Sequence, residues 1–116
     1  MKLIKKDPPR KFKVGKKNIL LKDYGKIYLN DNEQITFVKN KSEFDVVKKN
    51  WGYYATPSIN KRLKKFNFRT FIIKNFDNYI NIMIVHKAKN KNFKKYLKIE
   101  NMTIVKEITN GYCLKK

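Results

Sequence analysis

Two apolar segments separated by a four-residue turn constrain the fold of this chain more than any other feature. FRTFIIK (residues 68–74) and YINIMIVH (residues 79–86) are rich in β-branched and aromatic residues, and their pattern has a period of two. Between them lies NFDN, which contains residues that favour turns. The sequence therefore predicts a β-hairpin over about residues 68–86.

A helix and a strand are predicted after this hairpin. Asn92 can begin a helix over about residues 92–100, with Phe93, Tyr96 and Leu97 pointing inward and lysines pointing outward. TIVKEI then predicts a final strand over about residues 103–108. This order allows the last strand to join the sheet of the hairpin after the helix has crossed it.

Two consecutive helices are predicted before the hairpin, and the first covers about residues 42–50. Ser42 and Asp45 have the spacing of a capping box, with Asp in place of Glu. Gly52 is well placed to end the helix. At helical spacing one apolar face is expected from Phe44, Val47 and Trp51.

The second predicted helix covers about residues 57–66. Thr56 can serve as its N-cap, and Pro57 suits the first helical position. At about 100° per residue, the apolar side chains of Ile59, Leu63 and Phe66 fall on one narrow stripe. The opposite face carries Lys61, Lys64 and Lys65 and has no acidic residue.

Short strands and turns are predicted nearer the N-terminus. Ile19–Leu21 and Ile27–Leu29 read as strands around a turn at Asp23–Gly25, and a further strand is expected near residues 35–38. Residues 1–17 contain Pro8, Pro9 and Gly15 and are expected to form an irregular, basic arm. The prediction is therefore an α+β fold, with this arm (1–17) preceding a single domain (18–116).

The order of helix, turn, basic helix and hairpin over roughly residues 42–86 resembles the helix-turn-helix and wing of winged-helix domains. That resemblance implies that the helix at 57–66 is a recognition helix and that the hairpin tip at 75–78 is the wing. Two features depart from the family: strands replace the preceding helix, and the tip is not basic. The whole chain also resembles short uncharacterised bacterial proteins, which implies nothing about activity.

The positive charge is unevenly distributed along the chain. The net charge is +20 in 116 residues, and 17 of these charges lie in three basic segments: residues 1–17 (+7), 57–66 (+4) and 86–98 (+6). Drift toward Lys in an AT-rich genome would also raise the charge, but it should spread Lys evenly. Segments of one sign repel themselves and favour a polyanionic partner.

We therefore expect a non-enzymatic protein that binds DNA or RNA mainly through phosphate contacts. Lys suits phosphates better than base edges, so weak sequence specificity is expected. Two alternatives stay open: a module that binds an acidic protein, and a small accessory or ligand-binding protein with a pocket holding His86 or the Tyr53–Tyr54 pair. Single-strand stacking is assigned to Phe76, while most of Tyr53, Tyr54, Phe68, Phe71 and Tyr79 are expected in the core. The predicted nucleic-acid contacts are Asn60, Lys61, Arg62, Lys64, Lys65, Arg69, Lys91, Lys94, Lys95 and Lys98.

Other functional classes lack sequence support. His86 is the only histidine and Cys113 the only cysteine, so no catalytic residue, metal site or cofactor is predicted. A lone cysteine cannot form an internal disulfide, which favours a reducing, cytoplasmic setting. No membrane span or signal peptide is expected, because the apolar runs are short and MKLIKKDPPR has no apolar centre.

Overall fold

The computed structural model describes residues 1–111 and contains eight strands in three antiparallel sheets. The N-terminal sheet has the order β1–β2, the middle sheet β3–β4–β5, and the C-terminal sheet β7–β6–β8. Two α-helices, α1 and α2, and one 3₁₀ turn complete the secondary structure. The bounds are β1 Lys2–Val14, β2 Ile19–Tyr28, β3 Gln34–Lys39, β4 Ser42–Lys49, β5 Gly52–Ala55, α1 Arg62–Lys65, β6 Phe68–Lys74, β7 Ile80–His86, the 3₁₀ turn Lys87–Lys89, α2 Asn90–Ile99 and β8 Thr103–Glu107.

The helix predicted at residues 42–50 is wrong, because this segment forms β4, the central strand of the middle sheet. Asp45 and Val47 are buried on one face of the strand, while Phe44 is only half-buried on the other. Trp51, which the helical pattern placed inward, is 68% exposed. A short apolar run is compatible with both the helical period of 3.6 and the strand period of two. Hydrogen-bonded pairing with β3 on one side and β5 on the other stabilises the strand.

The helix predicted at residues 57–66 is also wrong, because only Arg62–Lys65 form a helical turn. Thr56 does not cap it, since its hydroxyl donates to the carboxylate of Asp45 in β4. The apolar side chains still turn inward, and Leu63 is completely buried. With neither predicted helix present, the mainly β fold excludes the winged-helix resemblance and the α+β assignment.

The N-terminal sheet also differs from the prediction. Residues 1–17, expected to be irregular, contain the long strand β1, which pairs with β2 along most of its length. The predicted turn at Asp23–Gly25 instead lies within β2, opposite a break in register between Lys5 and Arg10. This bulge contains Pro8 and Pro9, which have no N–H groups for a regular ladder.

The hairpin, second helix and last strand lie close to their predicted positions. β6 and β7 pair from Phe68↔His86 to Lys74↔Ile80, and β8 pairs with the other edge of β6. One face of this C-terminal sheet packs against α2, with the rings of Phe71 and Phe93 5.1 Å apart. The main apolar cluster lies between them and contains Phe71, Ile73, Val85 and Leu97, with Met83, Phe93 and Met102 at its margin.

Candidate nucleic-acid interface

Arg62, one of the predicted nucleic-acid contacts, takes part in a partly buried ion pair. Its Nη2 donates to Oδ2 of Asp45 at 2.5 Å and to Oγ1 of Thr56 at 2.7 Å, and Thr56 also donates to Asp45. Asp45 is 3% exposed. Burial raises the pKa of Asp45, but the hydrogen bonds from Arg62 and Thr56 outweigh it, so the pKa lies below the ordinary 3.8. Arg62 thus joins α1 to the middle sheet.

Arg69 is held by a second ion pair, between β6 and β8. Its Nε and Nη2 donate to the two carboxylate oxygens of Glu107 at 2.7 and 2.5 Å. Thr109 donates to the same carboxylate at 2.7 Å and accepts from the backbone N–H of Thr70. The hydrogen bond from Arg69 lowers the pKa of Glu107, so this carboxylate is ionised at neutral pH. A guanidinium has five N–H groups, and Glu107 takes two of those on Arg69.

Basic residues from three parts of the chain line one groove of about 470 Å³, which we call the basic groove. The backbone N–H of Lys87 donates to the carbonyl of Asn67 and so joins the two ends of the β6–β7 hairpin. The Nζ of Lys64 donates to the Asn110 side chain at 2.5 Å. The residues lining the basic groove are Lys64, Asn67, Phe68, Arg69, Lys87, Glu107, Thr109 and Asn110.

A more open depression of about 570 Å³ adjoins the basic groove, because Lys64 lines both. Its other lining residues are Lys61, Arg62 and Lys65. The predicted contacts from residues 61–65 therefore lie beside the groove that contains Arg69 and Lys87, and Lys87 belongs to the third basic segment. Asn60 is exposed in the loop before α1 and lies against Gly111.

The four predicted lysines of α2 are exposed and are not among the residues lining the basic groove: Lys91, Lys94, Lys95 and Lys98. α2 turns Phe93 and Leu97 toward the sheet, which leaves the lysines on its outer side. The charge of Lys94 acts on the groove from outside: after the hydrogen bond from Arg69, it also helps to lower the pKa of Glu107.

The first basic segment meets the far end of α2. The backbone N–H of Lys16, in the β1–β2 turn, donates to both carboxylate oxygens of Glu100 at 3.2 and 3.0 Å. Gly15 lies so close that an added Cβ would be 2.9 Å from these oxygens. The tertiary structure therefore places the first basic segment next to Glu100, which follows the third basic segment in the chain.

Aromatic side chains are more exposed than the sequence predicted. Phe71 is buried and Phe68 partly buried, but Phe76 and Tyr79 are each 69% exposed and Tyr53 is 66% exposed. The expectation that most of these rings lie in the core is therefore wrong. Two further rings in or beside the middle sheet, Phe37 and Trp51, are 55% and 68% exposed and were not predicted to be so. The Trp51 and Tyr54 rings stack at 6.0 Å.

His86 lies against an aromatic ring. Its ring centroid is 4.2 Å from that of Phe68, and burial together with the nearby Lys39 lowers its pKa. Within residues 1–111 there is no group of three or more His, Cys, Asp or Glu side chains placed to hold a metal ion. Cys113 lies outside the described residues. None of the described helices has the length and apolar character needed to cross a membrane.

Comparison with known proteins supports neither resemblance drawn from the sequence. No protein family matches the chain, and no significant match is found to a curated protein or a solved structure. The winged-helix resemblance is excluded by the mainly β fold, and the resemblance to short bacterial proteins has no matching relative behind it.

Proposed function

We propose that this protein binds nucleic acid without catalysing a reaction, and that it holds the phosphate backbone along the basic groove. One observation carries the proposal: Lys64, Arg69 and Lys87, distant in sequence, line the same groove. Among residues 1–111 its lining includes a single carboxylate, Glu107, which is already engaged by Arg69 and Thr109. The remaining positive charge is available to an anion from outside.

The overall charge balance supports a polyanionic partner. Within residues 1–111, five of the nine acidic residues already form ion pairs: Asp23, Asp31, Glu33, Asp45 and Glu107. Most lysines therefore have no acidic neighbour to neutralise them, and a net charge of +20 repels itself. Phosphates would relieve this repulsion and release condensed counterions.

The number of available cations sets the expected salt dependence. Within residues 1–111, four basic side chains line the basic groove and the adjoining depression without an ion pair to a carboxylate: Lys61, Lys64, Lys65 and Lys87. If all four meet phosphates, log K should fall with log salt at a slope of about −3.6 on duplex and about −2.8 on a single strand. The exposed rings of Phe37, Trp51 and Phe76 favour the single strand, because unpaired bases stack on aromatic faces.

The test is a binding titration with labelled duplex DNA, single-stranded DNA and structured RNA over a series of salt concentrations. The double variant Lys64→Glu with Lys87→Glu should bind about 30-fold more weakly near physiological salt and lower the slope by about 2. Lys2→Glu with Lys26→Glu makes the same charge change on the exposed N-terminal sheet and is the matched control. Circular dichroism checks that both variants keep their fold.

Two results would contradict the proposal. Equal losses in the two double variants would mean that binding follows net charge and not the basic groove. Equal affinity for heparin, polyglutamate and nucleic acid, seen only at low salt, would favour an acidic protein or no charged partner.

A further inference from the structure

β7 is an edge strand of the C-terminal sheet, and one row of its backbone groups points away from the sheet. The backbone hydrogen bonds Asn75–Tyr79 and Lys87–Asn67 fix which residues face β6. In an antiparallel ladder, hydrogen-bonded pairs alternate with pairs that form no hydrogen bond to each other. Residues 81, 83 and 85 of β7 therefore bond to β6. Residues 80, 82 and 84 direct their backbone N–H and C=O groups outward, away from β6. Within residues 1–111, no hydrogen bond is formed to this outward row.

The side chains of residues 80, 82 and 84 are all isoleucine, and two of the three are exposed. Ile80 is 55% and Ile82 is 66% exposed. Met83 and Val85 pack toward α2, which places the even-numbered side chains on the opposite face of the sheet. Edge strands normally carry Lys, Pro, a bulge or a covering element that prevents pairing with another chain. β7 has no Lys or Pro and pairs with β6 without a break in register.

The other edge of this sheet does carry such protection. β8 pairs with β6 through a break in register between Ile72 and Ile73, and it contains Lys106 and Glu107. Of the two edges of the C-terminal sheet over residues 1–111, the β7 edge is thus the regular, apolar and uncharged one.

Charge indicates which molecule can occupy the β7 edge. Residues 78–86 contain no Asp, Glu, Lys or Arg, although a third of the chain is charged. Two copies of a protein with net charge +20 repel each other over most of their surfaces. The repulsion between two copies is weakest at a strand without charged residues. The same strand of a second copy presents a matching row of N–H and C=O groups, with which the β7 edge can pair.

We propose that the protein forms a symmetric dimer in which β7 pairs antiparallel with β7 of a second copy. The two-fold axis passes beside Met83, so Ile82 lies opposite Ile84 of the second copy and Ile80 opposite His86. Antiparallel pairs that exchange both bonds occur at alternate residues, so this register forms about eight intermolecular hydrogen bonds. The two three-stranded sheets become one six-stranded sheet, and the contact is isologous, as two-fold symmetry requires.

The experiment measures the molar mass by light scattering or sedimentation, over a wide concentration range and at two salt concentrations. The wild-type protein should approach twice 14.0 kDa with increasing concentration. Dimerisation should strengthen at about 0.5 M salt, because salt screens the repulsion between copies. Nucleic-acid binding should weaken under the same change, so the two proposals can fail independently.

Variants test the assigned strand. Ile82→Lys places a charge on the exposed edge and should weaken dimerisation at least tenfold. Val105→Lys, at a 54% exposed position on the opposite edge, is the control and should dimerise like the wild type. Hydrogen exchange should show slower exchange at the amides of residues 80, 82 and 84 in the dimer. A monomer at every concentration and salt, or equal dimerisation by Ile82→Lys, would overturn the proposal.

Discussion

Replacing Arg62 by Gln should lower the free energy of unfolding by about 3 kcal/mol. The change removes a charged hydrogen bond of 2.5 Å to Asp45, which is 3% exposed. Breaking a buried ion pair by removing one partner costs about 3–5 kcal/mol, because the remaining charge stays buried. The Arg62 side chain is 42% exposed, so in the variant water can partly replace its hydrogen bond to Asp45. The loss of stability should therefore lie at the lower end of that range.

Urea denaturation and thermal unfolding measure this loss. At about 4 °C per kcal/mol for a chain of this size, the Tm should fall by about 12 °C. Lys65→Gln is the control, because Lys65 is exposed on the same short helix and should change stability by less than about 0.5 kcal/mol. The double variant Arg62→Gln with Asp45→Asn should lose much less stability than the sum of the losses in the two single variants, because the two groups interact directly.

The pH dependence separates an ionic effect from a packing effect. The pKa of Asp45 is lower in the folded state than its ordinary 3.8, so its contribution is complete above that pH and is lost as the pH falls through the folded pKa. The difference between wild type and Arg62→Gln should therefore shrink below about pH 4. A stability loss under about 1 kcal/mol at pH 7, or one that persists at low pH, would refute the assigned role of Arg62.

Three further predictions follow from individual residues and can be checked by the same unfolding assays. Leu63→Ala should cost about 3 kcal/mol, because Leu63 is fully buried and truncation leaves a cavity. Gly25→Ala should be more destabilising than Gly52→Ala: both residues have positive φ, but a Cβ on Gly25 would lie 2.0 Å from the carbonyl oxygen of Ile4, whereas Gly52 faces open space. Burial lowers the pKa of His86 below 6.5 in the folded protein, so protonation of His86 favours the unfolded state. The stability contributed by neutral His86 is therefore fully present above pH 6.5 and is lost as the pH falls through the folded pKa. This decline in stability should be less steep in His86→Gln.

Several elements were predictable from sequence because local patterns determine them. The strands of the hairpin over residues 68–86 alternate apolar positions with a period of two and enclose a turn, so pairing partners lie close along the chain. The helix α2 has its apolar and basic residues on opposite sides over ten residues, which is long enough for the period to be unambiguous. In both cases the short-range preference agrees with the tertiary environment.

Tertiary contacts decided the rest. Phe44 and Val47 suit a helix and a strand equally, and pairing with β3 and β5 selected the strand. Thr56 has the chemistry of an N-cap, but the buried carboxylate of Asp45 needs its hydroxyl and the guanidinium of Arg62. These long-range contacts outweigh the local helix propensity, because leaving a buried charge unpaired costs more free energy than leaving a helix uncapped.

The basic groove shows the same division. The amount of positive charge and the segments that carry it follow from the amino-acid sequence alone. That Lys64, Arg69 and Lys87 share one groove depends on folding, because the closure of the β6–β7 hairpin brings Lys87 to Asn67. Arg62 and Arg69, alike as cations in the sequence, are each held by an internal carboxylate, because the fold brings Asp45 of β4 to Arg62 and the pairing of β6 with β8 brings Glu107 to Arg69.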